Sequence, residues 1–170
     1  MKDLKTYTIS AFTENSPGVL HRLVSTFTKR KVNIESLTVS ETERRGISRF
    51  TIVVIVDEDL IKTIVKQIRR IIEVKEAFAS SDEDLIYKEI AFMKVKTESG
   101  AERFKVEKHA QRYGASVVYV DDDSMTLEVT GTSSEIRSLY CIMEQYGIEE
   151  FIQSGRIAIR KRSEEVKRDL

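Results

Sequence analysis

Tyr7, Ile9 and Ala11 alternate with polar residues, the two-residue period of a strand with one buried face. Val19, Leu20, Leu23, Val24 and Phe27 then recur at helical spacing, and Lys29-Arg30-Lys31 close the run with cations, as suits a helix C-terminus. Residues 32–40 are rich in β-branched side chains and predict a second strand, followed by a polar turn over 41–46. Phe50, Ile52, Val54 and Val56 alternate with Thr51, Val53 and Ile55, which predicts a third strand apolar on both faces. Leu60, Ile61, Ile64, Val65, Ile68, Ile71 and Ile72 return to helical spacing, and residues 74–79 supply a fourth strand. The predicted order is βαββαβ.

The same order recurs after the polar stretch Ser80-Ser81-Asp82-Glu83-Asp84. A strand over 86–97 precedes a helix over 102–113 that Gly114 stops. Val117, Val118 and Val120, the turn Asp121-Asp122-Asp123-Ser124 and a strand over 125–130 form the expected hairpin. Ile136, Leu139, Tyr140 and Met143 mark a second helix that Gly147 ends, and residues 148–159 give a last strand bent at Gly155. The pattern therefore predicts an α+β protein of two βαββαβ units, residues 1–80 and 86–161, each a sheet covered on one face by two helices. Residues 162–170 read as a charged, solvated tail.

Composition narrows the function classes. The 170 residues carry 28 Lys+Arg and 28 Asp+Glu, a formal charge of +0, so no global field favours nucleic acid or an anionic membrane. The start MKDLKTYTIS lacks an apolar signal core, no apolar run reaches the roughly 18 residues of a membrane span, and one cysteine forms no internal disulfide. These features together point to a cytoplasmic address.

Catalytic and metal-binding chemistry is thin. CxxC, HExxH, GxSxG and GxxxxGK[ST] patterns are absent, so neither a catalytic residue nor a metal ligand is assigned. His21 and His109 fit ordinary surface or boundary positions. Cys141 reads as a buried thiol among Leu139, Tyr140, Ile142 and Met143. The three aspartates at 121–123 read as a solvated turn, since consecutive carboxylates do not converge on one ion.

The stretch ENSPGVLHRL, residues 14–23, is more informative. Ser16 suits a helix N-cap and Pro17 the first helical position, which puts Gly18 in a first turn whose amides lack partners. A small anion such as a carboxylate could approach closely there, or Gly18 could simply ease a tight turn. Asn33, after the basic helix end, can donate and accept hydrogen bonds; it either shapes the turn or contacts a ligand. Gly18 and Asn33 fall at opposite ends of one helix, so one small ligand meets both only if two copies pack about a two-fold axis.

ENSPGVLHRL, NIESLTVSET and SRFTIVV together resemble the ACT domain of the acetolactate synthase (acetohydroxyacid synthase) regulatory small-subunit family, whose pattern is E-N-x-x-G-x-L-x-R, N-I-x-S-L-T-V and S-R-x-T-I. The match is sharp over about the first 80 residues. Residues 86–161 resemble the family's second, ACT-like domain in layout. Lys31 stands where the family usually has glycine, and His21 where it often has a small residue.

The resemblance implies two ferredoxin-like domains in a non-catalytic partner of the acetolactate synthase large subunit. Thiamine diphosphate, Mg and FAD are expected on that transferase subunit and no cofactor on this chain. It further implies a homodimer that activates the large subunit and confers feedback inhibition by valine in branched-chain amino-acid synthesis. The effector site it implies comprises Asn15, Pro17, Gly18, Val19, Leu20, Asn33 and Ile34. A stand-alone amino-acid-sensing ACT protein is the alternative. An RNA-binding module would need aromatics on its exposed sheet face, where the third strand offers Phe50, Ile52 and Val54.

Overall fold

The structure is a computed structural model and describes residues 3–162. Its first six elements are β1 (Lys5–Glu14), α1 (Val19–Thr28), β2 (Ser36–Glu41), β3 (Ile47–Val56), α2 (Glu58–Ile68) and β4 (Val74–Ser81). They form an antiparallel sheet in the order β2-β3-β1-β4, with Ile9 opposite Ile52 and Ala11 opposite Phe50. The next six are β5 (Leu85–Lys96), α3 (Gly100–Arg112), β6 (Ser116–Val120), β7 (Ser124–Gly131), α4 (Ser133–Met143) and β8 (Ile148–Gln153), whose strands pair in the order β6-β7-β5-β8. Both units thus have the α+β, ferredoxin-like topology expected from the doubled pattern.

The helical spacings become the two cores. In the first unit Leu23 and Phe27 of α1 and Ile64 and Ile68 of α2 pack on Ile9, Ile52 and Val54 of the sheet. In the second, Val106 and Ala110 of α3 and Ile136, Leu139 and Met143 of α4 pack on Met93, Val95 and Leu127. Asp57 caps α2 by accepting from the Leu60 amide at 2.9 Å, and Glu58 and Asp59 follow in the first turn, where the helix dipole favours carboxylates. Strand β3 is buried on both faces up to Ile55, which is half exposed; Phe50, Ile52 and Val54, expected on an exposed sheet face, lie instead in the core under the helices, and Thr51 and Val53 are enclosed behind them.

Several expectations are corrected. The helix expected to run through Ile72 stops at Ile68: Arg70, Ile71 and Val74 donate to carbonyls three residues back, which tightens the chain into turns and leaves Ile72 exposed. The second strand begins at Ser36 rather than Val32, because residues 29–32 are used in closing α1. The last strand is two strands, β8 and β9 (Ile157–Arg160), separated by Ser154-Gly155-Arg156. Cys141 is exposed, since Leu139 and Met143, four residues apart, define the inner face of α4 and Cys141 lies between them on the other. Of the expected charged tail only Arg162 is described; residues 163–170 lie outside the described residues.

By contacts the chain divides after Ile86 and again after Arg156. The second unit is Tyr87–Arg156, and the segment from Ile157 returns to the first. There β9 runs back beside the start of β5, where the Lys161 amide donates to the Asp84 carbonyl at 2.9 Å. Arg49 of β3 donates to the Ala158 carbonyl at 2.5 Å and to Ser10 at 3.2 Å. Within the second unit, buried Arg156 lies 3.9 Å over the Tyr87 ring and 3.6 Å from the Glu89 carboxylate, so the first and last residues of the unit are clasped together. Glu89 also accepts from Ser133 at 2.7 Å and from Gln153.

Candidate functional site

Gly18 does not occupy the first turn of α1. It is the residue before the helix, at φ 87° and ψ −10°, and Val19 is the first helical residue. The Val19 amide reaches back to the Ser16 carbonyl at 3.5 Å, so Ser16-Pro17-Gly18-Val19 is a turn with proline second and a left-handed glycine third, the geometry of a type II turn. Ser16 therefore lies two residues before the N-cap, and no side chain caps α1. Glycine follows proline here because the backbone requires it. A Cβ at Gly18 would meet only the Arg22 guanidinium, at 3.9 Å, so the space above it is open.

That turn frames a cavity of about 220 Å³ at the β2 side of the first unit. Glu14, Asn15, Ser16 and Gly18 form its polar margin; Val19, Leu20, Val39 and Phe50 form its apolar wall; Thr13 and Ser48 complete it. Val39 of β2 faces Phe50 of β3 in register, which is how strands distant in sequence meet the start of α1. Leu20 and Val39 are nearly half exposed, so the apolar wall continues to the mouth. The backbone amides of Gly18, Leu20 and His21 have no acceptor among the described residues, as expected at an uncapped helix start.

The surrounding chain is held firmly. Asn15 donates through its backbone to the Gly46 carbonyl at 2.8 Å and Glu14 to the Glu73 carbonyl at 2.9 Å. Lys75 neutralises the Glu14 carboxylate at 2.5 Å, and Glu73 pairs with Arg22 in the second turn of the helix. With Glu14 paired, the positive end of the α1 dipole is the local field at the cavity margin, and it favours an anionic group.

Of the residues expected at an effector site, Asn15, Gly18, Val19 and Leu20 line the cavity. Pro17 stands in the turn outside it. Ile34 packs partly buried against the first core, and exposed Asn33 donates to Glu35 at 2.8 Å. Ten helical residues, about 15 Å of rise, separate the two ends of α1, so one chain does not bring Asn33 to the cavity. Thr13, Glu14, Ser16, Val39, Ser48 and Phe50 are lining residues missing from the expected set. Only strand register reveals Val39, Ser48 and Phe50.

Family models place both units. One described as an AHAS small subunit-like ACT domain matches residues 9–76, and one described as the small subunit of acetolactate synthase matches residues 88–162. The chain is 35% identical over 161 residues to the acetolactate synthase small subunit of Mycobacterium leprae, covering 95% of each. It is 36% identical over 157 residues to that of Mycobacterium bovis, covering 92% of this chain and 93% of the relative. Among solved structures, the acetolactate synthase small subunit from Thermotoga maritima superimposes with a TM-score of 0.82 at 27% identity, covering 94% of this chain and 99% of the other.

Proposed function

Because the chain belongs to the acetolactate synthase small-subunit family, we propose that it regulates a thiamine-diphosphate-dependent large subunit, raising its activity and conferring feedback inhibition by valine. The thiamine diphosphate, Mg and FAD belong to that partner, and this chain makes no acetolactate itself. The observation that carries the reading is the cavity of about 220 Å³ at the start of α1. It is smaller than the roughly 300–1,000 Å³ of drug-sized pockets and suits a small metabolite with one anionic and one apolar end.

In this reading the valine carboxylate meets the unpartnered amides of Gly18, Leu20 and His21, and its side chain rests on Leu20, Val39 and Phe50. Its ammonium faces the side chains of Asn15 and, from a second copy, Asn33. A homodimer joined along the free edge of β2 brings one protomer's Asn33 toward the other's Gly18, which a single protomer holds at opposite ends of α1. Inhibition then needs only that valine bind two states of the holoenzyme unequally.

Gly18→Asp tests the site. Aspartate tolerates the left-handed backbone better than most residues, so the variant should fold at a cost of about 1 kcal/mol. Its carboxylate takes the place and the amides intended for the ligand. The expected result in the reconstituted enzyme is retained activation with valine inhibition lost, and a mixed dimer with Asn33→Ala should recover one site. Undiminished inhibition by valine in the folded variant would overturn the site, and a chain that pulls down no large subunit would favour a stand-alone amino-acid sensor.

A further inference from the structure

The opposite sheet edge of the first unit carries a larger concavity of about 1240 Å³ between α2, β4 and the returning segment. Its floor is apolar: Ile61 and Val65 of α2, Phe78 and Ala79 of β4. Lys62, Lys66 and Arg69 follow one face of α2 at spacings of four and three residues, and Arg160, Lys161 and Arg162 supply a second row of cations. Against these six stand the carboxylates of Glu58, Glu83 and Asp84. In a chain of formal charge +0 this is a local concentration of positive charge.

Four of the six cations are committed to partners. Lys62 pairs with Glu58 at 2.6 Å, Arg69 donates to the Ala77 carbonyl at 2.7 Å, Lys161 donates to the Glu83 carbonyl at 2.7 Å, and Arg160 lies 4.1 Å over the Phe78 ring. Lys66 and Arg162 bond to no described residue. Along α2 the cations from Lys62 to Arg69 are spread over about 10 Å rather than converging on one point, and no glycine-rich loop cradles a phosphate. A row of separated charges above an apolar floor fits an extended polypeptide with acidic residues interleaved with apolar ones, rather than a compact phosphate ester.

We propose that this groove is a docking surface for an acidic segment of the catalytic subunit. The proposal rests on the reading that the chain pairs with that subunit, and places one of the contacts. The test uses the full chain and its cognate large subunit, with affinity measured by interferometry at low and high salt. Wild-type affinity should fall with salt. Lys66→Glu combined with Arg162→Glu should weaken association at least tenfold and flatten the salt dependence, while Lys66→Arg with Arg162→Lys restores it. Thermal unfolding and valine titration of the double charge reversal should match the wild type. Undiminished association of a folded double reversal would overturn the groove, as would ATP binding that the reversal abolishes while subunit affinity is unchanged. Failure of the wild-type chain to bind the large subunit at any salt would instead sink the pairing reading itself.

Discussion

Lys31 is the single non-glycine residue with positive φ among the described residues, at 55°. It stands just past α1, where the Val32 amide returns to the Phe27 carbonyl at 3.1 Å and the Lys31 amide to the Thr28 carbonyl at 3.0 Å, a helix end that ordinarily takes glycine. An L-residue held left-handed costs about 1–2 kcal/mol, partly offset because glycine loses more entropy on folding. The exposed lysine side chain makes no ion pair among the described residues that would be lost. Lys31→Gly should therefore raise stability by about 0.5–1 kcal/mol. Urea unfolding checks this: a higher midpoint at unchanged slope is expected, and a lower midpoint would show that the backbone there carries no strain. Gly18 is the complementary case. Its oddity was visible in the sequence, but its cause is the Pro-Gly turn rather than a position inside the helix.

Helix α4 owes its start to a reciprocal cap. Thr132 accepts from the Glu135 amide at 3.3 Å, and the Glu135 carboxylate accepts from the Thr132 amide at 2.7 Å while Lys88 pairs with it at 3.1 Å. The bond from the Thr132 backbone, then Lys88 and the Thr132 hydroxyl, hold Glu135 at a pKa of about 2 against an ordinary 4.5. A carboxylate depressed in this way contributes stability above pH 4.5 that is lost as pH falls toward 2. Glu135→Gln should flatten that part of the stability profile, read by urea unfolding at stepped pH; an unchanged acid limb would mean the cap does not titrate. A Cβ at Gly131 would come within 3.0 Å of the Glu135 carboxylate, so Gly131→Ala should disturb the same cap. Elements of this kind were largely legible in advance, because one buried face repeats at 2 or 3.6 residues. Boundaries were not. Ile72 and Val32 are apolar residues that hydrogen-bonded turns remove from their elements, and the cavity wall of Val39 and Phe50 depends on register between strands.

At the scale of the whole chain, the second unit is an insertion in the first: residues from Ile157 complete a structure that begins at β1. A chain ending after Ser81 loses the acceptor that Ala158 gives the part-buried Arg49. It should be less stable than one in which residues 87–156 are replaced by a short Gly/Ser link, by about 1–3 kcal/mol for a charged hydrogen bond left unmade. Equal denaturation midpoints for the two would show that the return segment is dispensable. The clasp of Arg156 on Tyr87 has a mechanical consequence. Because the second unit is tethered at two points that touch, tension applied between the ends of the described chain passes from strand to strand through the first unit and bypasses the second. Under load the inserted unit is a slack loop with a closed neck: force enters residues 87–156 only after Arg156 parts from Tyr87 and Glu89 and β8 from β5.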